Sequence, residues 1–433
     1  MTSLMTDMSH VPLLAPHRIE DTGIRKGLFE DLALKILYLK GEMSLLELTD
    51  HMCLSLGIIE ELFQFLRKER LCEVKGMTGG THRIATTLEG RQRAADLLLL
   101  NQYTGPAPVC LSDYINQIRK QSVQNTLVRP HQLKEAFAEL VIDDELLLHL
   151  GTAVVSGTSM FMYGPPGTGK SSLAARILRI YKDYVWVPYA VEVDNQIITV
   201  FDAGVHQRTT EPPIEDSDRR WVLCRRPFVM TGGELTGDML ELQFNPVSRF
   251  YSAPLQMKAN NGIFVLDDFG RQRMRPEELL NRWMTALDRR VEFLSLPGGS
   301  KFEIPFDTLV VFATNIEPLQ LGDEAFLRRI PNKIKVDYAT EDQFKEIFRR
   351  EATDKRSLPV DEETLDFLVN YLTNELQVPL AQCYARDLLD QLFWAARYLH
   401  AKPQFTKDLA TWACSNYFGQ SISKSKPAPT PKR

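Results

Sequence analysis

The sequence predicts an α/β protein: a parallel sheet with helices on its faces, closed by a smaller all-helical region and preceded by a small helix-and-hairpin domain. Strand and helix signals alternate over 159–163, 171–181, 262–267, 276–289 and 308–314, as in a parallel sheet whose crossovers are helical. The run Gly-Pro-Pro-Gly-Thr-Gly-Lys-Ser joins the first of these strands to the first of these helices. From 341 to 418 the pattern is almost wholly helical.

The elements follow in order. Residues 1–24 are rich in Met, Ser, Pro and His without periodicity, and read as a flexible arm. In 25–103, residues 29–39 have helical spacing. Ser44 caps a second helix, with Glu47 at capping-box distance, and a third helix is expected over 58–70. Two alternating stretches, 71–75 and 82–86, flank a turn-rich connector, and a closing helix begins near Leu88. This order resembles a winged helix-turn-helix domain. A linker is expected over 104–124, since 103–108 reads Tyr-Thr-Gly-Pro-Ala-Pro. The α/β core is expected over 125–338, with an insertion at about 187–250 that contains a hairpin turning at Asp194-Asn195. A helical lid is expected over 339–418. The Ser/Lys/Pro-rich 419–433 reads as a disordered tail.

Composition narrows the class. The 433 residues are 44% hydrophobic and 25% charged, enough for more than one buried core. A net charge of −5 gives no overall pull toward nucleic acid or an anionic membrane. Cys53, Cys72, Cys110, Cys224, Cys383 and Cys414 show no metal-ligand spacing and no disulfide framework. With no secretory signal in 1–20 and no apolar run of membrane-spanning length, a cytoplasmic protein is expected.

Gly164, Pro165, Pro166, Gly167, Thr168, Gly169, Lys170 and Ser171 match the phosphate-loop pattern without a gap. An apolar run, 160–163, precedes them, and Ser172 continues into a helix. Glycines let the backbone turn its N–H groups toward phosphates, and the helix N-terminus adds its dipole. Lys170 is the expected partner of the β- and γ-phosphates of ATP, and Ser171 a ligand of Mg²⁺. A second apolar run, 263–266, ends in Asp267 and Asp268, at the edge where open α/β sheets place ligands. Asp267 is the expected second Mg²⁺ residue, and Asp268 the group that orients the attacking water.

With these motifs the chain resembles the AAA+ ATPases over roughly 125–418. Val310-Val311-Phe312-Ala313-Thr314-Asn315 resembles sensor 1, which implies that Asn315 stands between the carboxylates and the γ-phosphate. The run 323–330, Asp-Glu-Ala-Phe-Leu-Arg-Arg-Ile, resembles the helix that presents the arginine finger, with Arg329 preferred over Arg328. Ala385-Arg386-Asp387 resembles sensor 2, implying contact between Arg386 and the nucleotide. The resemblance implies ATP hydrolysis with Mg²⁺ and a homo-oligomeric ring, often of six, in which the finger acts on a neighbour. Two features depart from the pattern. The acidic pair is Asp-Asp where Asp-Glu is usual, and Lys170 and Asp267 stand further apart than a minimal core needs. The stretch before Asp267 also resembles bacterial enhancer-binding activators, but their Gly-Ala-Phe-Thr-Gly-Ala loop is absent.

The partner is open at this level. Arg219, Arg220, Arg225 and Arg226 around Trp221 fit either phosphate contact with stacking or, more plainly, a charged strand face with one half-buried Trp. In the winged-helix-like domain the third helix carries Glu60 and Glu61, which a DNA backbone would repel. Its basic residues Arg67, Lys68 and Arg70 gather at one end. A protein partner, through this domain or the insertion, is the preferred expectation, with DNA as the alternative. Remodelling or regulation of that partner is the expected work, with a low-turnover ATP-dependent switch or a DNA-associated ATPase as the competing expectations.

Overall fold

The computed structural model describes residues 13–210, 216–296, 299–321 and 324–419; residues 1–12 of the expected arm over 1–24, and 420–433 of the expected tail over 419–433, lie outside the described residues. Backbone hydrogen bonds order a five-stranded sheet as Phe228–Thr231, Gly262–Leu266, Thr308–Thr314, Met160–Tyr163 and Asn332–Lys335. Met160–Tyr163 is parallel to both of its neighbours. With the helices between the strands and the helical C-terminal region, this is the α/β fold class expected from the sequence. No described helix is long and apolar enough to cross a membrane. By contacts the chain divides into one unit of 1–126, 181–265 and 271–310, and another of 127–180, 266–270 and 311–433.

The first unit opens with helices Lys26–Lys40, Leu45–Met52 and Leu56–Lys68, an antiparallel sheet of Met43–Ser44, Thr81–Thr86 and Cys72–Thr78, and the helix Leu88–Leu100. Ser44 starts its helix as a reciprocal cap: Glu47 N donates to Ser44 Oγ at 3.1 Å, and Ser44 N donates to Glu47 Oε2 at 2.6 Å. The third helix buries Ile58, Ile59, Leu62, Phe63 and Leu66 and turns Glu60, Arg67 and Lys68 outward. Glu61 pairs with Lys26 at 2.6 Å.

Two segments expected to be loose are built in. From residue 13 onward the arm is packed, with Ile19 and Ile24 in the core of the helical domain and Ala15 N donating to Asp216 O at 3.1 Å. In the expected linker, Tyr103 is buried and its hydroxyl donates to Pro106 O at 2.6 Å, while Ala107 N donates to Met52 O at 2.8 Å. Val109–Cys110 then pairs in parallel with Ala190–Val193. The apolar side chains of Tyr103, Ala107 and Val109, all buried, gain more by leaving water than Gly105 and the prolines gain from remaining flexible.

The expected insertion makes most of a second sheet, ordered Gln243–Phe244, Tyr251–Ser252, Gln196–Thr199, Ala190–Val193 and Val109–Cys110. Its hairpin turns at Asp194 and Asn195, whose φ angles of 49° and 64° are those of the tight turn that matches strand twist. Two of the four arginines here are buried. Arg220 is 2% exposed and held by both oxygens of Asp218, and Trp221 is buried. Arg226 is buried too, donating to both oxygens of Asp183, to the carbonyls of Gln121 and Asn261, and to Thr126 Oγ1. Arg219 pairs with Asp50 at 2.9 Å, and Arg225 is exposed. Buried charges persist only when paired and hydrogen-bonded, so Arg220 and Arg226 serve the fold.

The second unit carries Met160–Tyr163, the helix Lys170–Ile177 and the helical region. Phe161 packs against Phe269 and Phe312 with ring centroids 6.2 and 5.2 Å away. In the helical region, Thr340 caps Glu341–Arg349 with a capping box. Glu341–Arg349 and Glu362–Asn370 each run into a π turn, at Arg350–Asp354 and Tyr371–Glu375. Cys383–Tyr398 and Lys407–Phe418 complete a core around Phe344, Phe348, Leu368 and Leu389.

Arg226→Ala removes the partner of Asp183 and strands two backbone carbonyls. The expected cost is about 3–5 kcal/mol, read as a lower urea midpoint for the transition that includes the 181–265 segment, whereas Arg225→Ala should leave that midpoint within error.

Candidate nucleotide site

The loop after Met160–Tyr163 has a backbone that only glycines supply. Gly164, Gly167 and Gly169 have φ angles of 141°, 77° and 85°. A Cβ on Gly164 would stand 2.2 Å from Val336 O, and one on Gly167 would stand 2.6 Å from Cys383 Sγ. The helix Lys170–Ile177 starts directly after this loop, and Leu173 N makes its first bond, to Gly169 O at 2.9 Å. The N–H groups of Lys170, Ser171 and Ser172 therefore have no partner within the helix, which suits them to an anion. Thr168 is fully buried and its hydroxyl donates to Pro165 O at 3.0 Å, which braces the bend. Pro165 is half-buried and Pro166 exposed.

Lys170 lies back along the loop, its Nζ donating to Gly164 O at 2.8 Å and Pro165 O at 2.6 Å. Burial lowers its pKa from the usual lysine value, and the Asp268 and Asp267 carboxylates act in the other direction. Ser171 Oγ donates to Asp267 Oδ1 at 2.8 Å, so the hydroxyl and the carboxylate singled out for Mg²⁺ are brought together. Among the described residues no group of His, Cys, Asp and Glu forms a metal site. A Mg²⁺ at this point would take one hydroxyl and one carboxylate from the protein and most of its shell from phosphates and water, as this ion commonly does.

The carboxylate turn is fixed to the neighbouring strand. Phe269 N donates to Ala313 O and Thr314 Oγ1 donates to Phe269 O, both at 2.7 Å. Asp268 has a φ of 49°, a left-handed conformation that Asp tolerates. Its carboxylate is exposed, and Asn315 Nδ2 approaches Oδ1 at 3.5 Å, a long hydrogen bond. Lys170, Ser171, Asp267, Asp268 and Asn315 are thus linked by direct contacts or charge coupling in one unit.

The arginines stand differently. Arg328 is exposed and Arg329 half-buried, in the turn after Glu324–Leu327; Ser159 Oγ donates to Arg329 O at 3.2 Å. Asp323, at the start of the expected finger helix, lies outside the described residues. Arg386 is exposed and pairs with Asp387 at 2.9 Å. Sequence reasoning missed the residues that touch the loop from the helical region, Gln382 and Cys383: Cys383 N donates to Gly167 O at 3.0 Å. Their only sequence signal was proximity to the Ala-Arg-Asp run.

The fold and this site define an α/β protein with a glycine-lined phosphate-loop pattern between the strand Met160–Tyr163 and the helix Lys170–Ile177. Residues 340–416 match the family described as a domain of unknown function (DUF8689). No curated protein matches the chain in sequence. Among solved structures it is similar to the Thermotoga maritima RuvB Holliday junction branch migration motor, at 16% identity and a TM-score of 0.35, over 67% of this chain and 70% of that one. It is also similar to NtrX from Brucella abortus, at 12% identity and a TM-score of 0.41, over 85% of this chain and 64% of that one. These are likenesses of fold and say nothing of substrate or partner.

Gly164→Ala forces a Cβ into the Val336 carbonyl and a backbone region that is nearly Gly-only. A thermal-melt series should find this variant less stable by about 1–3 kcal/mol, while Gly237→Ala, whose Cβ meets nothing within 4 Å, serves as the unstrained control.

Proposed function

We propose that the chain is a Mg²⁺-dependent ATP hydrolase that works as a homo-oligomer and remodels or regulates a macromolecular partner. The observation that supports this reading is that Lys170 and Ser171 sit on one glycine-lined loop with Ser171 bonded to Asp267, while Asn315 approaches the adjacent Asp268. The loop N–H groups and Lys170 would hold the phosphates. Ser171 and Asp267 would hold Mg²⁺, which when bound neutralises charge on the β- and γ-phosphates. Asp268 would accept a proton from the attacking water and orient it, and Asn315 would keep the carboxylate and the water aligned.

Arg329, or its neighbour Arg328, would act on the nucleotide of an adjacent subunit, a contribution of about 10³–10⁵ in rate for such a group. Arg328 has the exposure a group acting in trans needs. Ring assembly, often of six subunits in the family it resembles, follows from that role. For the partner, the outward Glu60 and the Glu61–Lys26 pair favour a protein over DNA at the winged-helix-like domain. The Asp268 side chain, one carbon shorter than Glu, favours a low-turnover switch as the second reading.

Lys170→Ala should abolish ATP binding and phosphate release together. Asp268→Asn should keep ATP binding while phosphate release falls by about 10²–10⁴-fold; unchanged release in both variants would remove hydrolysis from the account, and near-zero release already in the parent protein would favour the switch. Mixing Arg329→Ala with Lys170→Ala subunits should restore some turnover if the finger acts in trans, and the same mixture made with Arg328→Ala identifies which arginine acts.

A further inference from the structure

We propose that Asp387, held in place by Tyr417, is a latch on Arg386 that sets how strongly the site distinguishes ATP from ADP; this rests on the ATP-site reading above. The helix Cys383–Tyr398 begins on the phosphate loop. Cys383 N donates to Gly167 O at 3.0 Å, and a Cβ built on Gly169 would stand 2.7 Å from Gln382 Oε1. Arg386 lies three and four residues beyond these contacts, on the same helix face. Helical side chains lean toward the N-terminus, so a long side chain at this position covers the turn that touches the loop.

The guanidinium is nevertheless engaged elsewhere. Its Nε and Nη2 donate to Asp387 Oδ1 at 3.0 and 2.9 Å, and its side chain is 63% exposed. Asp387 is the anchored member of the pair. Its second oxygen accepts from Tyr417 Oη at 3.0 Å. Tyr417 lies at the end of Lys407–Phe418, with its ring edge-on to Tyr384 at 5.6 Å. A second helix thus holds the carboxylate, and the guanidinium is the exposed member of the pair.

An exposed pair of this kind separates at little cost. A γ-phosphate carries more charge than one carboxylate and offers several oxygens to a guanidinium. ATP therefore competes with Asp387 for Arg386, and ADP, one phosphoryl group shorter, competes less. Asp387 acts here as a positioning residue that raises the threshold for closing Arg386 onto the triphosphate.

The test is equilibrium binding of a non-hydrolysable ATP analogue and of ADP to the full chain. Asp387→Asn keeps an acceptor for Tyr417 but removes the charge, and should tighten the analogue by about two- to fivefold with ADP unchanged. Tyr417→Phe releases the carboxylate from the second helix and should also tighten the analogue, by less than Asp387→Asn does. In Arg386→Ala/Asp387→Asn the gain should vanish. Equal affinities for Asp387→Asn and the parent protein, or the same gain in the double variant, would overturn the latch. If Lys170→Ala abolishes binding while Arg386→Ala changes nothing, the latch fails and the ATP site stands. Binding unaffected by Lys170→Ala would instead be the failure of the ATP-site reading itself, and the latch would fall with it.

Discussion

The site depends on how closely the backbone at Gly164 approaches Val336. A Cβ at Gly164 would stand 2.2 Å from the Val336 carbonyl, and Val336 N donates to Tyr163 O at 2.8 Å. The pairing of Met160–Tyr163 with Asn332–Lys335 sets that approach. The loop must therefore leave the strand through a φ that only glycine adopts freely. From that departure follow the carbonyls of Gly164 and Pro165 that receive Lys170, and the position from which the helix Lys170–Ile177 starts.

The acidic side of the site is fixed with comparable economy. Asp267 and Asp268 end a fully buried strand, and the turn after them is tied to Thr308–Thr314 through Phe269. Fixed groups of this kind need little reorganisation when charge develops nearby, which is where a protein gains most from electrostatics. The Asp at 268 has less reach than a Glu, and its left-handed backbone conformation, with φ at 49°, sets where that shorter side chain starts.

Local signals in the sequence were the ones that could be read without the fold. The Ser44–Glu47 cap, the Asp194-Asn195 turn and the phosphate loop each depend on residues a few positions apart. What escaped depends on distant partners. Arg220 and Arg226 read as a surface patch because Asp218 is one of many nearby acids and Asp183 lies 43 positions away. The segment 103–108 reads as a linker by composition, yet it and the strand that follows pack on Met52 and Ala190–Val193. The same limit applies to the helical region, where the contacts of Gln382 and Cys383 with the loop, and of Tyr417 with Asp387, join elements that no periodicity connects.

The central claim is an ATP site completed by a neighbouring copy of the chain. It is tested most directly by phosphate release per subunit in ATP and Mg²⁺, measured across a wide range of protein concentration. The account predicts a specific activity that rises cooperatively with concentration and then levels off. A measurable rate that stays the same per subunit from the most dilute to the most concentrated sample would contradict it.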